Sequence, residues 1–445
     1  MRTNLARMPA LLLTSALLAA ACAGDDGDAT SNDSTDREES TRPIEYEAIG
    51  LWDDGPCDRS RAPLVVGLMT VFESPTISLG DQAQALEAAA TAFNARGGAN
   101  GACIEVVTCD DGADFDQSLG CVSKIDEAGV VATINDTGLA GQAEVSAAMA
   151  QAGIPRVAST VTPNDSTDAN AFPTDSAGLG YAFLVPRSVI DAGATKLAVV
   201  RVSDAAASAL LGFLQELYDD DGVAFVEDLP VPAGTTDYTQ FILAAENAGA
   251  DGIVLALGEQ EGIQVIRAGQ QLGTDLLIGS PPLSHAGMTD LGDFAGQLAM
   301  VSPYPPPTTD LPVYAALRDD LAASGELALQ TDQLKPNAMR SWIGLYALLW
   351  MIRDADMQEF TGDAIATMLR QATDVPMLGI YGDQTWTPDL NHPGTFQRAG
   401  VDEQFAFSWD LGLDSTGFEG SFVEEATISF DETLCGSPIG GPEPC

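Results

Sequence analysis

Short apolar runs alternate with longer amphipathic stretches over most of the chain. The first run covers residues 64–68, and the amphipathic stretch that follows covers 81–96 and stops at Gly97-Gly98. A continuous apolar run is typical of a strand buried on both faces of a sheet, and apolar positions spaced three and four apart indicate a helix. Glycine after the last periodic position favours a helix end. This part of the sequence therefore predicts a strand, a loop and a helix.

The same alternation continues and then restarts near residue 196. Further strands are predicted at 104–107, 130–134, 156–159, 196–202, 223–226, 252–257, 276–279 and 298–301. Helices are predicted between them at 114–127, 142–152, 205–218, 237–248 and 261–272. Short apolar strands that alternate with helices predict parallel sheets covered on both faces. The predicted fold class is therefore α/β, with two doubly wound βα lobes.

The later part of the chain departs from this alternation. Residues 302–307 are rich in proline and must be extended. Three helices are predicted after them, at 311–324, 337–355 and 361–373. We expect these helices to pack on the first lobe. Two short strands are predicted near 404–409 and 426–430.

The N-terminal residues predict export. Arg2 and Arg7 precede an apolar run over residues 8–21, which is too short for a membrane-spanning helix and is typical of a secretory signal. Three alanines stand directly before Cys22, an arrangement that resembles the lipobox of bacterial lipoproteins. Residues 1–22 are therefore predicted to be a lipoprotein signal peptide, with Cys22 as the site of lipidation. The alternative is a plain signal peptide in which Cys22 has no role.

Acidic residues dominate the charge of the chain. Sixty-five Asp and Glu residues against nineteen Lys and Arg residues give a formal net charge of −46. Such a surface repels nucleic acid and anionic lipid, so neither is an expected partner, and an adaptation to solubility or salt explains the acidity without a specific role. Residues 23–56 are predicted to be a disordered acidic tether, because they contain few apolar positions. The rest of the chain is long and apolar enough for two cores.

The cysteines also predict an exported protein. Apart from Cys22, the chain has six cysteines, an even number that suits three disulfides: Cys57, Cys103, Cys109, Cys121, Cys435 and Cys445. About fifteen connectivities are possible for six cysteines. Close spacing favours Cys109 with Cys121 and Cys435 with Cys445, which leaves Cys57 with Cys103. A zinc site is the alternative, but the chain has no C-x-x-C pair and its histidines are His285 and His392 alone. No metal and no cofactor are expected.

Several of these segments together resemble a known family. Residues 64–121, with Ala-Arg-Gly-Gly at 95–98 and Asp-Asp at 110–111, are similar to the leucine/isoleucine/valine-binding-protein family of ABC transporters. Three further segments, at residues 153–163, 250–254 and 346–349, are also similar to this family. The resemblance implies a periplasmic-binding-protein fold of type I, with two lobes joined by a three-segment hinge and a ligand held in the cleft between them.

The resemblance also implies where the chain passes between the lobes. The crossovers are expected near residues 184, 303 and 380. The first lobe would contain residues 57–184 and 303–380, and the second lobe residues 185–302 and 381–445. Closure around a ligand that touches both lobes would then stabilise the closed form over the open one.

In the first lobe, the resemblance implies donors for a ligand carboxylate. Thr162 matches a threonine of the family, and Thr160 matches a position that donates through its backbone. Gly138 stands where the family has a serine, so the backbone N–H of Gly138 or the hydroxyl of Thr137 would substitute. Asp136 beside them would repel a carboxylate. Threonines also favour strand ends for structural reasons alone, which is the alternative for Thr160 and Thr162.

In the second lobe, the resemblance implies a carboxylate for a ligand ammonium. Glu261 matches this position, with Glu259 as the rival, and either could instead serve only the first turn of a helix. Ala206 stands where the family has a tyrosine, so one aromatic wall of the cleft is missing. Phe72 and Ser74, in the loop after the first strand, are expected to supply an apolar contact and a hydrogen-bond donor.

The function predicted from these features is capture of a small polar or amino-acid-like solute for an ABC transporter. Expected partners are the ligand, the permease subunits and a membrane reached through the lipid anchor alone, and the protein is expected to be a monomer. A ligand sensor of the same fold is one alternative. An enzyme is another, but the chain has no G-x-S-x-G, H-E-x-x-H or Walker motif, so no enzymatic activity is expected.

Overall fold

The computed structural model describes most of the chain after residue 43. The described residues run from 44 to 386 with gaps at 73–77, 138–139, 160–164, 166–167, 204–210, 213, 219–221, 284–287, 289–290, 293, 295–297, 307–308 and 323–334. The backbone is also described over residues 403–413 and 419–429. The predicted signal peptide, the lipidation site Cys22 and most of the predicted tether therefore lie outside the described residues.

The first sheet is built from five parallel strands in the order β2-β1-β3-β4-β5. The strands are β1 (Leu64–Thr70), β2 (Ile104–Asp110), β3 (Ala132–Ile134), β4 (Arg156–Val157) and β5 (Ala171–Phe172). The helices that follow β1, β2 and β3 are α1 (Gly80–Ala95), α2 (Phe115–Glu127) and α3 (Gln142–Ala152). The predicted strands and helices of this lobe are confirmed, and β5 is an addition that the sequence pattern did not indicate.

Helices cover both faces of the first sheet. One face packs on α1 and on three later helices, α7 (Pro312–Ala322), α8 (Pro336–Asp354) and α9 (Gly362–Gln371), as predicted for the helices after the proline-rich segment. Helix α8 is buried over almost its whole length. At Gly344 it closely approaches the residue that follows β4, because an added Cβ would lie 2.5 Å from the Cβ of Ala158. The other face packs on α2 and α3 through residues such as Ile125 and Met149.

The second sheet has seven strands in the order β12-β11-β10-β9-β8-β6-β7. They are β6 (Lys196–Val202), β7 (Ala224–Val231), β8 (Gly252–Ala256), β9 (Leu277–Ser280), β10 (Leu298–Ser302), β11 (Glu403–Leu413) and β12 (Glu419–Ser429). Strands β6 to β10 are parallel, whereas β11 pairs antiparallel with β10 and with β12. The sheet packs on α4 (Ala177–Asp191), α5 (Thr239–Asn247) and α6 (Glu259–Leu272). Part of the predicted helix 205–218 is described, and it is helical at 211–212 and 214–217.

The first and third crossovers differ from the predicted positions. Helix α4 packs on the second sheet, where Phe183 and Val185 join Leu197 and Val254 in one buried cluster. The chain therefore leaves the first lobe before residue 177 and not near 184. After the third crossover point near 380, Tyr381 and Trp386 are still buried in the core of the first lobe. The predicted boundary at 381 is therefore wrong, because these aromatic side chains pack with α8 and its neighbours.

The predicted C-terminal boundary of the tether, at residue 56, is also wrong. Residues 46–49 form a short 3-10 helix, and Leu51 and Trp52 are buried in the first core. The Trp52 ring lies 5.4 Å from the Phe93 ring and 6.1 Å from the Tyr346 ring, measured between centroids. These few apolar residues attach residues 44–56 to the first lobe, although acidic residues dominate the composition around them.

Two of the three predicted disulfides are present. Cys57 is bonded to Cys103, and Cys109 is bonded to Cys121. The first bond fixes the chain just after the attached N-terminal segment to the start of β2. The second joins the end of β2 to α2. Cys435 and Cys445 lie outside the described residues, so their pairing stays a prediction. No helix in the described part of the chain is long and apolar enough to cross a membrane.

Candidate functional site

The loop after β3 lies at the carboxyl end of the first sheet, where ligands bind in open parallel sheets. Asn135 adopts a left-handed backbone conformation with φ of 55°. Its side-chain amide donates hydrogen bonds to the carbonyl oxygen of Asn337 at 2.7 Å and to the hydroxyl of Ser341 at 2.8 Å. The loop is therefore held against the first turns of α8.

Thr137 is the one predicted carboxylate donor whose side chain is described. Its hydroxyl accepts a hydrogen bond from the side-chain amide of Gln82 at 3.1 Å, and its backbone N–H donates to the carbonyl oxygen of Met69 at 3.1 Å. Thr137 is buried. These contacts fix the loop to α1 and β1, so Thr137 positions the neighbouring backbone whether or not its hydroxyl also reaches a ligand.

Asp136 forms part of a buried charge cluster. Its carboxylate accepts a hydrogen bond from Nε of Arg156 at 2.7 Å, and Nη1 of the same arginine binds Asp165 and, at 2.7 Å, the hydroxyl of Ser146. Burial raises the pKa of the Asp136 carboxyl, and the nearby Asp165 adds to the rise against the opposing effect of Arg156. Because Asp136 forms an ion pair with Arg156, the negative charge of Asp136 is compensated inside the first lobe.

Two carboxylates and one ammonium come together from both lobes. Asp81, in the first turn of α1, and Lys335, directly before α8, belong to the first lobe, whereas Glu259 begins α6 of the second lobe. Nζ of Lys335 lies 4.0 Å from Oδ2 of Asp81 and 4.0 Å from Oε2 of Glu259. Three helix N-termini therefore meet at this point.

Among the described residues at this point, carboxylates outnumber ammonium groups. Oδ1 of Asp81 is buried and has no hydrogen-bond partner among the described residues. Burial raises the pKa of the Asp81 carboxyl and Glu259 adds to the rise, whereas Lys335 and the backbone N–H groups of residues 81 and 82 oppose it. A buried acceptor without a donor costs free energy, and a donor from a bound molecule would remove that cost.

The two predicted carboxylates of α6 act on different neighbours. Burial raises the pKa of the Tyr238 hydroxyl, and the charge of Glu261 adds to the rise. Glu259 instead lies next to Lys335 of the first lobe. Of the two predicted ammonium-binding carboxylates, the structure brings Glu259 to the junction of the lobes.

The remaining predicted site residues are only partly described. Phe72 is half-buried, packs against the first core and donates its backbone N–H to Asp110 at 3.1 Å. The other predicted positions lie outside the described residues: Ser74, Gly138, Thr160, Thr162, Ala206 and His285. Sequence reasoning missed Asp81 and Lys335. The available signals were a carboxylate in the first turn of a helix and a lysine before the proline that begins another.

Metal binding finds no support in the described part of the chain. No group of three or more His, Cys, Asp or Glu side chains there is placed to hold an ion. The chemistry available at the junction is that of charged hydrogen bonds, with carboxylates as acceptors and one ammonium as a donor.

Comparisons with known proteins concern the family and the fold. A family model described as "Periplasmic binding protein" matches residues 63–399. The Leu/Ile/Val-binding protein homolog 7 of Brucella suis is 24% identical over 226 residues, which cover 48% of this chain and 56% of that relative. The chain thus matches about half the length of this curated relative.

Solved structures share the fold. An ABC transporter substrate-binding protein of Aeropyrum pernix has a TM-score of 0.67 and 18% identity over 82% of this chain and 96% of its own. A solute-binding protein of R. palustris in complex with 4-hydroxybenzoate has a TM-score of 0.66 and 14% identity. The match covers 83% of this chain and 97% of that protein. A branched-chain amino acid transporter substrate-binding protein of Streptococcus pneumoniae, in complex with isoleucine, has a TM-score of 0.59 and 14% identity. The match covers 82% of this chain and 100% of that protein. These likenesses confirm the predicted fold of two parallel-sheet α/β lobes.

Proposed function

The chain belongs to the periplasmic binding protein family, as the resemblance predicted, and from this premise we propose that it is the extracytoplasmic solute-binding component of an ABC importer. Its ligand is a small amino-acid-like solute held between the two lobes. Ligand contacts to both lobes stabilise the closed form, and the closed form is the one that delivers the solute to the permease subunits.

The meeting of Asp81, Lys335 and Glu259 supports this proposal. A cleft that closes on a ligand needs polar groups on both lobes, and here two of the three come from the first lobe and one from the second. Among the described residues at this point, two carboxylates stand against one ammonium. Partial burial keeps water from screening the two carboxylates fully, which favours a ligand with a protonated amine.

The relatives do not share one ligand. The R. palustris structure holds 4-hydroxybenzoate and the Streptococcus pneumoniae structure holds isoleucine. A carboxylic acid without an amine would be repelled by Asp81 and Glu259. An amino acid would instead direct its ammonium to Oδ1 of Asp81, the acceptor without a donor, and its carboxylate toward the loop after β3. The two described carboxylates of the junction therefore favour the second class.

Placement outside the cytoplasm follows from the family and from the predicted signal peptide. We further propose that Cys22 carries the lipid and that the following residues hold the folded chain near the membrane. Mass spectrometry of the N-terminal peptide from a bacterial host tests this proposal, because an acylated Cys22 adds the mass of its fatty acids. An unmodified peptide that extends upstream of residue 22 would contradict it.

A matched pair of ligands tests the proposed ligand class. L-leucine and 4-methylpentanoate differ only in the amine, so thermal shift and titration calorimetry with both compounds isolate its contribution. We expect L-leucine and related amino acids to raise the melting temperature and the des-amino acid to have no effect. Binding of 4-methylpentanoate or 4-hydroxybenzoate without any amino acid would contradict the proposal.

Variants of α6 test the residue that recognises the amine. Glu259→Gln should weaken binding of a responding amino acid by about tenfold or more, because one charge-assisted hydrogen bond is lost. Glu261→Gln is the matched control, since it removes the same charge two residues away, and it should change affinity less than about threefold. Equal effects of the two substitutions would remove Glu259 from the site.

A further inference from the structure

Arg156, the first residue of β4, joins three separate parts of the first lobe. Its side chain is only 5% exposed. Nε donates to Asp136 in the loop after β3 at 2.7 Å, and Nη1 donates to Asp165 in the segment between β4 and β5. Nη1 also donates to the hydroxyl of Ser146 in α3, at 2.7 Å. One planar guanidinium therefore fixes a loop, a helix and an interstrand segment relative to one another.

The loop after β3 is held at three consecutive residues. Asn135 donates to the first turns of α8, and the backbone N–H of Thr137 donates to β1. Asp136, between them, accepts the hydrogen bond from Arg156. This middle contact is the one that joins the loop to β4 and, through the same guanidinium, to the segment that follows β4.

The position of this loop matters for the proposed ligand. In the proposed function, the carboxylate of an amino acid points toward the loop after β3. Hydrogen bonds to a carboxylate weaken steeply when the donor moves out of line, so the placement of the loop decides how well the site binds that group. The carboxylate of Asp136 belongs to the same loop, and Arg156 compensates its negative charge.

We propose that Arg156 is a positioning residue for recognition of the ligand carboxylate. It acts through Asp136, which it holds at the correct distance from β4, and not by contact with the ligand. This inference rests on the proposed function and adds the residue that makes the site prefer a carboxylate. Lysine at position 156 keeps the charge but replaces the planar fork by one ammonium, so it does not hold Asp136 and Asp165 in the same geometry.

The preference for a carboxylate over an amide measures this positioning. The probes are L-leucine and L-leucinamide, or the amino acid that responds in the thermal-shift test and its amide. They share the amine and the side chain, and titration calorimetry well below the melting temperature of each variant gives both dissociation constants. A smaller competent fraction of protein weakens both ligands by the same factor, so the ratio of the two constants reports on the site alone.

Arg156→Lys should lower the preference for L-leucine over L-leucinamide by about tenfold, the contribution of one charge-assisted hydrogen bond. Arg96→Lys is the matched control. Arg96 is also buried in the first lobe and donates two hydrogen bonds to Asp320, at 2.7 and 2.6 Å. It follows the last residue of α1, about 22 Å along the helix from Asp81. The control should lower the melting temperature and leave the preference unchanged.

Asp136→Ala tests the same contact from the other side. Arg156 keeps Asp165 and, at 3.7 Å, Asp168, so its charge stays compensated in this variant. Removal of a negative charge alone would strengthen the binding of a carboxylate, whereas loss of the positioning contact weakens it. We therefore expect the preference for L-leucine to fall in Asp136→Ala as well.

The outcomes separate this inference from the proposed function. An unchanged or increased preference in Arg156→Lys or in Asp136→Ala, or an equal decrease in Arg96→Lys, would overturn the inference, while binding of L-leucine by the unsubstituted protein would still support the proposed function. If no amino acid binds the unsubstituted protein, the proposed function fails and the role of Arg156 in recognition fails with it.

Discussion

Replacement of Arg156 by methionine should destabilise the first lobe strongly. Arg156 is buried and holds Asp136 and Asp165 with one guanidinium, together with the hydroxyl of Ser146. Methionine fills much of the same volume without a charge. The substitution therefore leaves two carboxylates near each other, without their cation, in a site from which water is largely excluded.

The expected loss follows from that geometry. Loss of one partner of a buried pair typically costs about 3–5 kcal/mol, and the presence of two carboxylates on one arginine places this site at the upper end, about 5 kcal/mol. For a lobe of this size each kcal/mol lowers the melting temperature by about 2–4 °C, so the expected decrease is about 10–20 °C. Scanning calorimetry under non-reducing conditions measures it directly.

The pH dependence gives a second signature. Without Arg156, the pKa of Asp136 in the folded variant rises further above that of the unfolded chain, so the folded variant binds protons more tightly than the unfolded one. Stability then falls as pH rises through that interval and recovers as pH falls. The difference between the variant and the unsubstituted protein should therefore be smaller at pH 5 than at pH 8.

The control for this prediction is an exposed pair. Arg187 and Asp191 form an ion pair one turn apart in α4, with side chains 32% and 48% exposed. Arg187→Met should cost less than about 0.5 kcal/mol. The reasoning is refuted if Arg156→Met costs less than about 1.5 kcal/mol at pH 7, or if its deficit grows as the pH is lowered.

Two further predictions concern stability. Removal of the Cys57–Cys103 disulfide by paired serine substitutions should cost about 4 kcal/mol of unfolding free energy, and removal of Cys109–Cys121 about 3 kcal/mol, because the two bonds close sequence separations of 46 and 12 residues. Urea denaturation measures both losses. A larger cost for the shorter loop would contradict the chain-entropy argument. Trp52→Ala should cost about 3–5 kcal/mol if the N-terminal segment is part of the first core, and a loss below about 1 kcal/mol in the same assay would show that the segment is dispensable.

Local sequence patterns predicted most elements of both sheets. Strands such as β1 and β6 are continuous apolar runs between loop residues, and that pattern depends on burial on both faces and not on distant contacts. Helix α4 was missed, because its sequence contains Gly178, Gly180 and Pro186, which weaken any local helix signal. Packing against the second sheet compensates for those residues, and a local pattern does not report it.

The candidate site was predicted less completely than the fold. Sequence reasoning identified Glu259 and Glu261 as rivals, but the choice between them depends on which one faces Lys335, a residue of another lobe. Asp81 and Lys335 stand far apart along the chain and carry common residue types at helix starts, so nothing local marks them as neighbours. Asp81 and Lys335 become neighbours only when α1 and α8 pack together in the first lobe.

The antiparallel pairing of β11 with β10 has a consequence for biosynthesis. While the ribosome is still adding residues between 302 and 403, the outer edge of β10 has no hydrogen-bonding neighbour in its sheet, and such an edge can pair with another chain. The final hairpin of β11 and β12 protects it. A polypeptide truncated after α9 should therefore aggregate, although it retains the described helices of the first lobe.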